Sequence, residues 1–246
     1  MSAPRTALAE PEARLPSTSG YTPPRTSDYT PVLPAPASDD ARLRDAHVDR
    51  VLLMPTAETQ PAGSTVLSSY EIVVVQVTHA FSNDTQLTLT ATPPIEGIVP
   101  FDFSLKSVLS RGDGYRLAAF GAVSGASGLD NGPAWVGRVG LLGQACFDRA
   151  CRSSANLGAT ALLLGPASFV ATGVGVIWRV SELFALLGEL DTLVPAGRSV
   201  AEWHGIAGGL GCRWSGRRWA VDLAAYSAFE TRTVVPFLAV SYRFLP

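Results

Sequence analysis

The sequence predicts an all-β protein: a closed antiparallel transmembrane β-barrel of about 12 strands with a disordered N-terminal segment. From His47 onward, segments of roughly ten residues with alternating apolar and polar side chains recur, and turn residues separate them. Charged residues make up only 16% of the chain, against about 25% in soluble domains. Short and longer connections alternate along the chain, as the two ends of a membrane barrel require.

The first element is the N-terminal segment, residues 1–46, and the barrel is predicted to occupy residues 47–246. The segment holds eight prolines and contains no Phe, Trp or Ile. It buries too little apolar area to offset the entropy of ordering, so disorder is expected. It also contains no apolar stretch of the length that a secretory signal needs. Because an outer-membrane barrel must cross the inner membrane, this observation weighs against the expected outer-membrane location.

The strands follow in chain order, and their count is even, as in bacterial single-chain barrels. We predict that they begin near Val48, Val66, Asp84, Phe101, Gly114, Ala134, Arg152, Ser168, Leu183, Trp203, Arg217 and Val234.

Two stretches also fit a helix. Residues 153–178 carry no charge and are long enough to span a bilayer, but a Gly-Pro pair near the middle and strict alternation favour a two-strand hairpin. In residues 181–194, Leu183, Leu186, Leu187 and Leu190 form a helical stripe. We assign a strand there because Glu189 then shares a polar face with the acid two residues further on.

The charged side chains of many strands collect on one face of the predicted sheet. Periodicity alone does not distinguish a soluble sheet from a barrel with a polar lumen and a lipid-facing exterior. In the barrel the charges face the lumen, and because both signs are present they should pair. Such pairing favours a narrow or plugged interior. The predicted lumen-facing set is Asp102, Lys106, Arg116, Arg138, Arg179, Glu189, Asp191, Arg213, Asp222 and Arg243.

Cys146 and Cys151 bracket four residues, the length of a hairpin loop, and could face each other across two strands. A disulfide is possible there in an oxidising compartment, with two unpaired buried thiols as the alternative.

Two regions resemble uncharacterised outer-membrane β-barrels of Gram-negative bacteria, a porin-like class. The first is residues 50–57, RVLLMPTA, followed by the Pro-Ala-Gly of residues 61–63 and the Ser-Tyr-Glu of residues 69–71. The second is residues 237–244, FLAVSYRF, which is similar to the C-terminal strand that the barrel-assembly machinery recognises. The resemblance implies membrane residence, outer-membrane lipid and the assembly machinery as partners, and a passage for small solutes.

No residue set predicts catalysis, a metal site or a cofactor, and the three histidines lack metal-ligand spacing. The net charge of −2 gives no general basic surface, so no nucleic-acid partner is expected. The leading hypothesis is a non-enzymatic outer-membrane barrel, either a narrow small-solute pore or a structural barrel. The alternatives are an outer-membrane lipid-modifying enzyme that uses His79 or His204 with a serine, and a soluble periplasmic β-barrel or sandwich.

Overall fold

The computed structural model describes residues 45–94, 96–127, 134–164, 167–196, 205–228 and 233–246. The described residues form twelve strands and one long internal loop. The strands are β1 (Thr65–Tyr70), β2 (Val74–Ala80), β3 (Thr85–Ala91), β4 (Val99–Gly112), β5 (Tyr115–Ser127), β6 (Ala134–Cys146), β7 (Ser154–Leu164), β8 (Ala167–Arg179), β9 (Phe184–Pro195), β10 (Gly205–Ser215), β11 (Trp219–Ala228) and β12 (Thr233–Phe244).

Each strand pairs antiparallel with its neighbour in sequence, and β1 pairs with β12 to close the barrel. The closing register runs from Thr65 opposite Phe244 to Tyr70 opposite Ala239. We call the end at which β1 begins and β12 ends the base of the barrel, and the opposite end the top. Closure leaves no unpaired edge in the wall, which is the condition for a sheet to reside in lipid.

The predicted fold class and strand number are confirmed, but the first two strands were wrongly placed. The predicted strand at Val48 does not exist, because this part of the chain lies inside the barrel. The strand predicted from Val66 is instead two, β1 and β2, joined by a turn at residues 71–73. The two errors compensate in the count. Every other predicted start lies within two residues of the observed one.

The connections alternate less regularly in length than predicted. At the base, two to seven residues separate consecutive strands, and the seven-residue connection at residues 147–153 contains one of the two half-cystines. At the top the connections span two to nine residues. The shortest base turn, Asp113-Gly114, uses the positive φ of +86° that glycine adopts without strain.

Both stretches that also fitted a helix are strands. Residues 153–178 form most of the β7–β8 hairpin, and residues 184–195 form β9. In the described ranges no helix is long and apolar enough to cross a membrane.

The wall has two chemically different faces. Along β9, Leu186 and Leu190 point outward with more than 40% of their surface exposed, whereas Leu187 and Glu189 point inward and are buried. Along β8 the outward positions include the exposed Val174 and Val176, and the inward ones include Gly173 and Gly175. The period of two therefore separates an apolar exterior from an interior that carries the charged and small residues.

The core of the molecule lies inside the barrel, where residues 45–64 fill the lumen. We call this segment the inner loop. Its apolar residues Val51, Leu52 and Met54 are at most 6% exposed. They form one buried cluster with wall residues that include Tyr70 and Phe237. Asp45 and Ala46, predicted to belong to the disordered segment, are buried as well, whereas residues 1–44 lie outside the described residues.

Candidate functional site

The candidate site is the lumen, where the inner loop meets the inward side chains of the wall. The loop runs upward from Asp45 and turns at residues 51–54, where Val51 N–H donates to the carbonyl of Met54 at 2.9 Å. It then returns to the base, and Thr56 N–H donates to the carbonyl of Asp49 on the ascending arm. Ser64 leads directly into β1. Both ends of the loop therefore lie at the same mouth of the barrel.

Arg213 of β10 is the central wall contact of the ascending arm and is fully buried. Its guanidinium bonds both carboxylate oxygens of Asp222 on β11, at 2.7 and 2.9 Å. It also donates to the backbone carbonyls of His47 and Val51, at 2.9 and 2.6 Å. A planar, always charged guanidinium suits this task, because it donates in several directions at once.

His47 joins the same network from the loop side. Its Nδ1 lies 2.8 Å from Oδ2 of Asp222, and its Nε2 contacts the hydroxyl of Ser241 on β12. The three side chains are at most 2% exposed. The succession of contacts, Asp to His to Ser, matches that of serine hydrolases. Here, however, the aspartate is also paired with a buried arginine and the serine is closed off from solvent.

Further wall cations hold the descending arm. Lys106 donates its ammonium protons to the carbonyls of Thr56 and Glu58, and to that of Asp49. Arg116 forms a 2.6 Å ion pair with the Glu58 carboxylate. These contacts satisfy loop carbonyls that would otherwise be buried without partners.

Gln60 and the last wall arginine complete the base. The Gln60 side-chain oxygen accepts two hydrogen bonds from Arg243 at 2.7 and 3.0 Å. Its amide nitrogen donates to the Ala46 carbonyl, which ties the two arms of the loop together.

At the tip of the loop, one wall carboxylate receives three backbone amides. Glu189 of β9 accepts from the N–H groups of Leu52, Leu53 and Met54 at 2.9–3.1 Å. The amides at a tight turn converge in this way and form an anion-binding concavity. The turn of the loop is therefore built around a side chain of the wall.

Inward glycines of the wall leave the space that the tip occupies. A Cβ placed on Gly175 would lie 2.7 Å from Cγ2 of Val51, and one on Gly173 would lie 2.8 Å from the Met54 sulfur. Carbon atoms in contact sit about 3.5–4 Å apart. The alternation of valine and glycine in β8 thus places apolar side chains on the outer face and leaves room for the inner loop on the inner face.

Cations of the wall and of the loop itself hold two loop carboxylates, Asp45 and Asp49, in the ionised form. Burial by itself raises the pKa of Asp45, but the guanidinium groups of Arg213 and Arg179 outweigh it and bring the pKa below the ordinary value. Burial likewise raises the pKa of Asp49, and the charges of Arg50 and Lys106 lower it well beyond that effect. Arg179 also forms a direct ion pair with Asp45 at 2.6 Å.

Above the loop, the lumen retains a polar cavity of about 200 Å³. Its floor is formed by Arg50 and Leu53 of the inner loop, and its walls carry Gln76, Ser104 and Arg138. The Arg138 guanidinium pairs with Asp102, which also accepts a hydrogen bond from Ser124. The inner loop therefore forms one side of this cavity.

The structure places all ten predicted lumen charges on the inner face. Nine are described above, and the tenth, Asp191, accepts a hydrogen bond from Tyr226 of β11. Arg116, at the base, also donates to the sulfur of Cys146. Cys146 is joined to Cys151 by a disulfide across the β6–β7 turn.

The two histidines proposed for a lipid-modifying enzyme do not form such a site in the described residues. His79 lies at an outward position of β2, with its Nδ1 2.9 Å from the Thr65 hydroxyl and its ring against Phe81. His204 lies outside the described residues. Among those residues, no group of three His, Cys, Asp or Glu side chains gathers to hold a metal ion.

Known protein structures share the fold of this chain. No protein-family model and no curated protein sequence matches the chain. The KdgM porin, solved alone and in complex with disordered oligogalacturonate, superimposes with a TM-score of 0.55 at 12% identity, over 74% of this chain and 98% of the porin. The chain has the fold of an outer-membrane porin. LpxR from Salmonella typhimurium superimposes more loosely, with a TM-score of 0.48 at 8% identity, over 74% of this chain and all of LpxR.

Sequence reasoning missed the loop side of this porin-type lumen, above all His47, Asp49, Glu58 and Gln60. One available signal was charge. The ten predicted wall residues comprise six cations and four acids, a net charge of +2 that needs acids from elsewhere in the chain. A second signal was the unbroken apolar run at residues 51–54, which does not alternate as a strand does.

Proposed function

We propose that this chain is a non-enzymatic integral outer-membrane barrel that provides a passage for small solutes. The observation that carries the proposal is the closed wall with an apolar outer face and a charged inner face. In a soluble protein the apolar face would be buried and the charges would face water. The reversed arrangement suits a lipid exterior and a polar lumen.

Aromatic side chains support the membrane placement because they lie on the outer face near both ends of the wall. Near the base, Trp178 packs on Phe147 and Trp214 packs on Phe184. Trp135 lies near the top of β6, ten residues from the base residue Ala145 of the same strand. Ten residues of strand tilted by about 40° span roughly 25 Å, the height of the apolar band of outer-membrane barrels.

The polar lumen and the fold together favour a passage over a purely structural barrel. Barrels of about eight strands are filled by their own side chains, whereas sixteen or more leave an aqueous channel. Here the inner face of the wall carries many charged and small residues with a few large apolar ones, and a separate segment of the chain fills the space between them. The KdgM porin shares the fold. We also propose that β12, with outward Tyr242 and Phe244 at its end, is the strand that the assembly machinery recognises.

Folding into lipid tests the membrane claim, and solute entry tests the passage. Purified protein refolded into lipid vesicles should migrate differently on gels before and after boiling. Vesicles that contain it should swell in small sugars and not in large dextrans. Protein that stays monomeric and dissolved in plain buffer would contradict the membrane proposal.

A lipid hydrolase remains the second candidate, and the contact of His47 with Asp222 and Ser241 is the observation that favours it. If these residues catalyse ester hydrolysis, a fluorophosphonate probe should label the protein in vesicles and Ser241→Ala should abolish the labelling. We expect no labelling, because Ser241 is 2% exposed and withdrawal of the inner loop would carry His47 away from it.

A further inference from the structure

We propose that the inner loop is a removable gate, which closes the passage in the described state and opens it by withdrawing through the base. This inference rests on the proposed function, since a gate requires a passage. It assigns to residues 45–64 a role in regulating conduction rather than in building the wall.

The wall does not depend on the loop for its continuity. β1 and β12 close the barrel through six residue pairs of their own. In the described part of the chain, the backbone–backbone hydrogen bonds of residues 45–60 stay within the loop. Up to residue 60 the loop is therefore attached to the wall through side chains and not through a shared sheet, and only Gly63 and Ser64, next to β1, share backbone hydrogen bonds with Ala80 of β2. Departure of residues 45–60 leaves every strand pairing intact.

The attachments are mostly polar and can be exchanged for water. The ten predicted wall charges sum to +2, Arg111 of β4 adds a further cation beside Glu58, and the loop contributes three acids and one arginine, a net charge of −2 with histidine counted as neutral. The two sets of opposite charge hold the loop in place. When the loop leaves, water can solvate the wall charges, because an aqueous lumen replaces the loop. A permanent filler would be expected to rely on apolar packing, which here is confined to the tip and to a small patch where Ala57 meets Ala118 and Leu142.

The geometry allows withdrawal without threading. Both ends of the loop lie at the base, and the tip at Glu189 is five residues into β9, about 16 Å along the strand. The eleven residue-to-residue steps from Leu53 to Ser64 span up to about 38 Å when the chain is extended. The loop can therefore swing out of the mouth on its attachment to β1.

The tip also provides a place for a reversible lock. A Cβ on Gly175 would lie 3.3 Å from Cβ of Val51, close to the 3.5–4.5 Å that a disulfide spans. We would combine Val51→Cys with Gly175→Cys in a Cys212→Ser background. In planar bilayers the oxidised protein should be silent, and reductant should raise conductance at least tenfold.

Controls separate the lock from other effects of oxidation. Thr172→Cys with Thr192→Cys links two wall strands whose hydroxyls are 2.6 Å apart on the outer face, and leaves the loop free. This variant should conduct equally with and without reductant. The Cys212→Ser parent, which keeps the native disulfide, should also be insensitive. A second variant replaces residues 46–60 with a flexible Gly-Ser linker and should conduct continuously, provided that it shows the same heat-modifiable migration.

Each outcome decides the question. Equal conductance of the locked and reduced forms would refute the gate while leaving the passage standing. Silence of every variant that inserts, the linker variant included, would refute the passage and the gate together. A silent lock, opening on reduction and an open linker variant would support both.

Discussion

The carboxylate that receives the tip of the inner loop gives the sharpest prediction, because one substitution weakens docking without changing the shape of the wall. Glu189→Gln keeps the side-chain length and one oxygen to accept the three amides, which all donate to the same carboxylate oxygen, but it removes the charge. A hydrogen bond to a charged group contributes about 1.5–3 kcal/mol. We expect a net loss of about 2–3 kcal/mol of docking free energy, since one amide oxygen remains to accept.

That loss corresponds to a roughly 30- to 150-fold increase in the fraction of undocked loop. The assay is the alkylation rate of Val51→Cys by a water-soluble maleimide in vesicles, because Val51 is fully buried when the loop is docked. When opening and reclosing are fast compared with alkylation, the rate follows the undocked fraction.

Glu71→Gln is the matched control. This carboxylate also accepts a backbone N–H, that of Leu238 at 2.7 Å, but it lies at the top of the wall and the donor belongs to β12. Its substitution should change the alkylation rate by less than twofold. An unchanged rate in Glu189→Gln, or an equal increase in the control, would refute the reasoning.

Three further outcomes follow from the same contacts. Gly175→Val should displace the tip and raise conductance, whereas Gly143→Val, on the outer face where an added Cβ would meet no atom within 4 Å, should not. Despite burial, Arg213 and Arg179 of the wall lower the pKa of Asp45 below 3.8, and Lys106 of the wall acts on Asp49 in the same direction, so the ionised forms stabilise docking fully above about pH 4. This stabilisation is lost as the pH falls below that value, and alkylation of Val51→Cys should accelerate in acid. Arg213→Met leaves a buried acid without its partner and should cost about 3–5 kcal/mol, seen as a lower temperature for loss of the heat-modifiable form.

The wall was predictable from the sequence because its physics is local. The two-residue period of a strand determines which side chains lie on the outer face of the wall and which lie on the inner face. This alternation is set within each strand and does not depend on the rest of the chain. In residues 181–194 this was enough to choose a strand over a helix, since only a strand puts Glu189 inside and Leu190 outside.

The inner loop was not predictable in the same way, because its structure depends on contacts more than a hundred residues away. His47 meets Asp222, and Leu52 meets Glu189, only after the barrel has closed. Residues 48–55 carry enough β-branched and apolar residues to resemble a strand, and tertiary contacts override that local preference. The hairpin at residues 71–73 was missed because it lacks the glycine or asparagine that usually marks a tight turn.

The central claim is that the apolar face of the two-residue repeat contacts lipid while the other face encloses the loop. Nitroxide labels at single cysteines replacing Leu186, Leu187 and Leu190, with the protein in lipid vesicles, test it most directly. Labels at the two exposed positions, 186 and 190, should collide readily with oxygen dissolved in the bilayer, and the label at the buried position 187 should not. Equal access of a water-soluble nickel chelate to all three positions would contradict the account.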